Sequence, residues 1–248
     1  MKAEKGPFEM KKIVLVGAGA RALQMYAKPF VEELGEYVDF CGVYDINPMR
    51  SKQLSEECVN VPVFFDFAQM LDTVRPDLVV VASTDHTHHT YIVGALESGC
   101  DVVSEKPMTI DEHKCREILE AEKRTGRSLT VAFNMRFMPY AARIKALLKE
   151  GAIGDIHHIA LDWYLDRSHG ADYFRRWHAE LEKSGGLLVH KSTHHFDLVN
   201  WWLDSRPREV HAFGTRKFYG PTRQERGERC LTCGYKKILR VRLRYFAE

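Results

Sequence analysis

The stretch Lys12-Ile13-Val14-Leu15-Val16-Gly17-Ala18-Gly19-Ala20-Arg21-Ala22 decides how the rest of the chain is read. Ile13 to Val16 is a short apolar run rich in β-branched residues, which suits a strand covered on both faces. Gly17, Gly19 and Ala22 then spell G-x-G-x-x-A. The first glycine permits a tight turn, the second lets backbone approach a pyrophosphate, and the small third residue lets the next helix pack closely. That helix would aim unpaired N–H groups and the positive end of its dipole at phosphate, with Ala20 and Arg21 in its first turn. A second apolar segment, Val38 to Tyr44, ends in Asp45, about 23 residues beyond Ala22, near the spacing at which an acidic residue meets an adenosine ribose. A carboxylate there accepts from the ribose diol and repels a 2′-phosphate, which favours NAD over NADP. The competing reading is that Asp45 only opens the Asp45-Ile46-Asn47-Pro48 turn.

At 248 residues and 45% hydrophobic content, the chain is long enough for a sizeable core and for two domains. Its formal net charge of +2 argues against nucleic acid or an anionic membrane as partner. No apolar run reaches the length of a membrane span. Met1 to Met10 is charged and lacks the apolar core of a signal peptide, and six cysteines, four of them scattered singly, suit a reducing compartment. The expected location is cytoplasmic.

Onward from Ala22, strand and helix patterns alternate. Ala20 to Leu34 reads as a helix that Pro29 kinks or ends early. Pro48 to Glu57 is a helix, Val61 to Phe65 a strand, and Asp66 caps a helix running to about Thr73. Asp77 to Ala82, Asp101 to Ser104 and Leu129 to Phe133 are strands, separated by helices over Thr87 to Ser98 and Asp111 to Thr125, with Gly99 and Gly126 as stops. The expected fold is α/β: an N-terminal Rossmann domain over 1–133 with a doubly wound parallel sheet, followed by a smaller open-sheet α/β domain over 134–248. In that second part, Tyr140 to Glu150 is a helix, and Ile156 to Leu165 and Glu209 to Tyr219 are strand-like. Asp166 to Gly186 is irregular or partly helical, and Gly186 to Leu203 holds a helix ending in Trp201 and Trp202.

Three constellations bear chemistry. Ser83-Thr84-Asp85-His86-Thr87-His88 follows the fourth strand on the edge where such sheets bind ligands, so that Ser83, Thr84 and His88 are candidates for contacting the cofactor. Asp85 or Thr87 there also serves as a plain helix cap. Glu105-Lys106-Pro107 follows the fifth strand on the same edge; Lys106 can donate to a substrate hydroxyl or carbonyl and join proton transfer, or it is a solvated loop lysine. In the third, on a continuous helix His190, His194 and Asp197 fall on one face. His194 is a candidate base, because neutral imidazole takes a proton near neutral pH; the pair could also ligate a metal, or the histidines could be structural. The helix lacks the glutamate of a zinc protease, and Cys230-Leu-Thr-Cys233 has no second pair after it, so no metal site is expected. The tail alternates Leu239, Val241, Leu243 and Tyr245 with Arg240, Arg242 and Arg244, as a one-sided strand with a basic face does.

Taken together, these motifs resemble the Gfo/Idh/MocA family, named for glucose-fructose oxidoreductase and inositol dehydrogenase. The likeness runs from about Lys11 to Tyr219 and is carried by Gly17-x-Gly19-x-x-Ala22, Glu105-Lys106-Pro107, Asn134-Met-Arg136-Phe137-Met-Pro139, Gly151-Ala-Ile153-Gly154 and the Gly-Gly…His194…Asp197 segment. It implies oxidation or reduction of a sugar, polyol or related carbohydrate with NAD or NADP, and a second-domain sheet that often makes homo-oligomer contacts. Residue by residue, it makes Lys106 the cleft lysine and His194 the catalytic histidine, with Gly17, Gly19, Ala20, Arg21, Asp45, Ser83, Thr84, His88, Glu105 and Lys106 on the cofactor. His190 stands where many members have an aspartate, and serves here as orienter or substrate contact. Arg136, Tyr164, Arg176, Trp177 and Lys191 are candidates to line a sugar pocket. Members usually continue for roughly another hundred residues, so an incomplete second sheet, from truncation or an altered reading frame, is also expected, with a non-catalytic dinucleotide-binding protein as the alternative function.

Overall fold

The computed structural model describes residues 10–166, 170–174, 176–215 and 219. Strands β1 (Lys11–Val16), β2 (Val38–Tyr44), β3 (Val63–Phe64), β4 (Leu78–Val81), β5 (Asp101–Glu105) and β6 (Leu129–Ala132) form one sheet in the order β3-β2-β1-β4-β5-β6. Every neighbouring pair is parallel. Side chains alternate between the faces of a strand, which explains why β1 is apolar at each central position. Val14 and Val16 enter one buried cluster with Val79, Val81, Val102, Ile92, Leu96 and Ile118. Ile13 and Leu15 enter the other with Val43, Val80, Ala22, Phe30 and Leu54.

The helices start and stop where their polar residues allow. Asn47, Asp66 and Asp111 accept the N–H groups of Met49, Gln69 and Lys114, opening the helices Pro48–Glu57, Phe67–Val74 and Glu112–Thr125. Gly126 closes the last of these at φ +66°. Pro29 does not end the first helix. Ala20–Ala22 continues through a π turn at Leu23–Ala27 into Lys28–Glu32, and Lys28 N–H donates to the Leu23 carbonyl, five residues back. The wider turn accommodates the proline ring and its missing donor.

Beyond β6, a 3-10 turn at Asn134–Phe137 leads to the helix Pro139–Lys149, which packs on the helix Thr193–Leu203. Met135, Ala141, Leu198 and Trp202 are buried between them, and Trp202 Nε1 donates to the Ala141 carbonyl at 3.0 Å. Two strand expectations are corrected here. Residues 156–165 belong to no strand, and residues 209–215 carry no ladder. A strand is stabilised by a neighbour's N–H and C=O groups, and among the described residues no strand lies outside the six-stranded sheet. A third correction concerns Gly186 to Leu203, which is two helices, Gly186–His190 and Thr193–Leu203, with a break at Lys191 and Ser192. Residues 216–218, the tail from 220 with Cys230 and Cys233, and its alternating arginines lie outside the described residues. No helix of the described residues is long and apolar enough to cross a membrane.

Candidate active site

The strand order reverses between β1 and β4, so the loops leaving their carboxyl ends part and open a crevice. Gly17 sits there at φ +97°, and a Cβ on it would lie 2.6 Å from the Ala82 carbonyl carbon. Only glycine lets the two loops approach this closely. Gly19 is different: its φ is −77°, and nothing lies within 4 Å of a Cβ built on it. The protein's own packing does not require a glycine at that position, and its missing side chain leaves open room at the start of the Ala20 helix, where a pyrophosphate would fit. Asp45 opens the turn that follows β2 and also braces the glycine loop. Its Oδ1 accepts the Asn47 N–H at 2.8 Å, opening the turn, and its Oδ2 accepts the Ala18 N–H at 2.7 Å, tying β2 to the glycine loop. These residues fit a dinucleotide.

Next to the crevice is a cavity of about 460 Å³. The sheet edge supplies Arg21, Ser83, Asp85, Glu105 and Lys106, and the second region supplies Asn134, Tyr140, Trp163, Tyr173, Trp177, His178, His190, Lys191 and His194. Glu105 is fixed by Arg21 Nε at 2.7 Å and by the Tyr26 hydroxyl at 2.9 Å, both donating to Oε1. Burial, with Glu105 beside it, pushes the Tyr26 hydroxyl well above the ordinary phenol range and keeps it a donor. Glu105 is thereby committed to bracing the cavity wall beside Lys106.

Lys106 Nζ donates to the His190 carbonyl at 2.6 Å. Burial pulls its pKa down to about 8, and the nearby Asp85 carboxylate opposes that pull. Asp85 is 3% exposed and its Oδ2 lies 2.5 Å from His190 Nδ1, while the rings of Tyr173, Trp177 and His178 enclose the imidazole. His194 is 7% exposed, its Nδ1 is buried without a partner, and Phe133 meets its ring edge-on. Burial first, then the positive charges of Lys106 and Lys191, holds its pKa down at about 3, so the ring is neutral throughout the working range of most enzymes.

Several expected roles change. His190, His194 and Asp197 do not share one helix face, because the chain breaks between the histidines. Asp197 turns away to a two-point ion pair with Arg136, Nε to Oδ2 at 2.8 Å and Nη2 to Oδ1. Arg136 therefore lies outside the cavity, near the rings of Phe133 and Trp201. Tyr164, 91% exposed, and Arg176, also exposed, do not line it either, whereas Trp177 and Lys191 do. His88 is a brace: both ring nitrogens face carbonyl oxygens, Pro107 at 2.8 Å and Ser83 at 3.1 Å, leaving none for a ligand. Neither Asp85 nor Thr87 caps a helix through its side chain. Thr84 offers its carbonyl to the Thr87 hydroxyl at 2.7 Å, and Ser83 Oγ sits 2.8 Å from that same hydroxyl at the cavity wall.

Sequence reasoning missed Asp85 as the partner of His190, and Tyr140, Trp163, Tyr173 and His178 as lining. The aromatic density around 163–178 was the available signal for Trp163, Tyr173 and His178. Among the described residues no cluster of three or more His, Cys, Asp or Glu side chains could hold a metal ion, and Cys41, Cys58, Cys100 and Cys115 are free thiols.

Comparison with known proteins adds a family context. Residues 11–133 match a family model described as oxidoreductase family, NAD-binding Rossmann fold, and residues 145–238 match its C-terminal alpha/beta domain. The Bacillus subtilis (strain 168) protein YteT is 42% identical over 239 residues, covering 92% of this chain and 56% of that protein. An inositol 2-dehydrogenase of Acidothermus cellulolyticus is 30% identical over 210 residues, covering 83% of this chain and 57% of the relative. Scyllo-inositol dehydrogenase from Lactobacillus casei, solved with bound NAD(H) and scyllo-inositol, superposes with a TM-score of 0.68 at 24% identity, covering 79% of this chain and 57% of that one. That likeness shows the shared fold. The chain spans little more than half the length of these two curated relatives.

Proposed function

Because the chain belongs to the Gfo/Idh/MocA oxidoreductase family, we propose that it binds NAD and moves hydride between that cofactor and a hydroxyl-bearing carbon of a sugar, polyol or related carbohydrate. The observation that carries the reading is the convergence of Lys106, from the end of β5, and His194, from the second region, on one cavity beside the Gly17–Gly19 loop.

Residues 1–133 hold the cofactor and residues 134–248 the substrate side in this reading. Gly17, Gly19, Ala20 and Arg21 surround the phosphates, Asp45 takes the ribose hydroxyls, and Ser83 lines the path toward Lys106. The bound nicotinamide supplies the hydride acceptor or donor. His194, neutral and desolvated, takes the hydroxyl proton as the carbon is oxidised and returns it in the reverse direction. Lys106 donates to the same oxygen and offsets the negative charge that builds there. Asp85 fixes the His190 ring, and the His190 carbonyl fixes Lys106. The rings of Tyr173 and Trp177 offer apolar faces to the C–H surfaces of a sugar. The reading also places the protein in the cytoplasm, where the four free thiols persist, and allows a homo-oligomer.

A panel of sugars and polyols with NAD and NADP, followed by the absorbance of the reduced cofactor, tests this. NAD reduction with at least one compound, abolished in His194→Ala while NADH still binds, is the expected result. An NADH-binding sample that turns over nothing in the panel overturns the reading in favour of a non-catalytic dinucleotide-binding protein.

A further inference from the structure

Lys191 is a cation to which the described residues of the cavity offer no counter-ion. It is half-buried, and among the described residues no carboxylate or carbonyl accepts from its Nζ. The acidic groups of the cavity are already committed. Glu105 is held by Arg21 and Tyr26, and Asp85 by His190. Lys106, the second lysine, has the His190 carbonyl and the neighbouring Asp85 charge. Lys191 has neither among the described residues: burial pulls its pKa down, and no described carboxylate opposes the pull. A half-desolvated ammonium without a partner is costly, and a ligand that brings an anion to it recovers that cost on binding.

We propose that the carbohydrate carries a carboxylate, as a hexuronate or an aldonate does, and that Lys191 receives it; this rests on the oxidoreductase reading above. The same placement helps the chemistry. Lys191 and Lys106 together suppress the basicity of His194, and an anion seated on Lys191 lifts part of that suppression when substrate arrives. A carboxylate suits the donors present better than a phosphate. Phosphate dianions are met by several donors, often an arginine fork or free N–H groups at a helix start. Here Arg136 lies outside the cavity and is spent on Asp197, Arg21 is tied through its Nε to Glu105, and the His195 and Phe196 N–H groups already donate to the Ser192 carbonyl at 2.9 and 3.0 Å.

The test is pairwise binding to the NADH-loaded 248-residue chain, with glucuronate, galacturonate and gluconate set against glucose, galactose and glucitol, and glucose 6-phosphate as the phosphate arm. At least one acid should bind about tenfold or more tightly than its neutral counterpart, as a charge-assisted contact gives. Lys191→Gln should erase the difference and Lys191→Arg should retain it. Equal binding of acid and neutral sugar, a phosphate ester that outcompetes every acid, or an acid preference that survives Lys191→Gln overturns the assignment. If Lys191→Gln fails to fold, the wild-type comparison and Lys191→Arg still decide. NADH fluorescence in the same samples separates the two readings: absent cofactor binding overturns the oxidoreductase reading and this one with it, whereas an NADH-loaded protein indifferent to charge overturns this one alone.

Discussion

Asp85 and His190 lie 105 residues apart in the chain, yet the carboxylate Oδ2 of one meets the imidazole Nδ1 of the other at 2.5 Å. The contact joins the end of β4 to the second region and restores an anion near the catalytic candidates. Where the family resemblance leads one to expect an aspartate, this chain has a histidine, and the negative charge comes from the β4 loop instead. Because the His190 carbonyl also holds Lys106 Nζ, the pair positions the lysine without touching it through a side chain.

Asp85→Asn keeps the shape and removes the charge, leaving a buried imidazole facing an amide. The expected result is a fall in kcat of about 100-fold with a much smaller change in KM, since a misplaced donor acts mainly on the transition state. Steady-state kinetics with NADH affinity measured alongside checks it. A variant that loses KM and kcat together, or neither, contradicts a positioning role.

The two glycines of the first loop should fail in different ways. Gly17→Ala forces a methyl to 2.6 Å from the Ala82 backbone at φ +97° and should cost roughly 2 to 4 kcal/mol of stability. Gly19→Ala meets no protein atom within 4 Å and should melt near the wild-type temperature while NADH affinity drops. Thermal unfolding with and without NADH reads both. Equal melting temperatures for the two variants would falsify this distinction.

Asp45→Ser removes the carboxylate that would face the ribose diol. NADH affinity should fall and NADPH affinity rise, moving their ratio by roughly tenfold toward NADPH, because repulsion of a 2′-phosphate is lost with the charge. Losing the bond from Ala18 N–H should also cost about 1 kcal/mol of stability. Paired titrations with the two reduced cofactors check the ratio.

His194 links stability to pH in a defined direction. Its folded pKa lies at about 3, below its ordinary 6.5, so between those values the unfolded chain binds a proton that the folded chain refuses. Stability from this group is complete above about 6.5 and is lost as pH falls toward 3. His194→Gln removes the titration. Its melting temperature should therefore decline less steeply than that of the wild type across this interval, and parallel declines would show that the imidazole is not the group responsible.

Much of the fold was legible in the residues alone. β1 is apolar at each central position because both its faces are covered, Asp66 and Asp111 sit where helices need an acceptor, and G-x-G-x-x-A marks where the first turn must be tight. Local sequence carries such features because they depend on neighbours a few residues away. Pro29 shows the limit of that logic: its effect on the helix depended on whether the preceding turn would widen, and the packing of Ala22, Ala27 and Phe30 against the sheet holds the helix together through that turn.

The candidate site was legible as a set of residues and not as an arrangement. Lys106, His194 and the glycine loop stood out by type and order in the sequence. Only the tertiary structure decided that Arg136 and Asp197 satisfy each other outside the cavity, that His88 spends both ring nitrogens on backbone carbonyls, and that Asp85 reaches His190 while Lys191 reaches no partner among the described residues. The physical reason is that spacing along the chain specifies which face of a strand or helix a residue occupies, whereas the pairing of buried charges depends on which distant surfaces the fold presses together, and no local pattern records that.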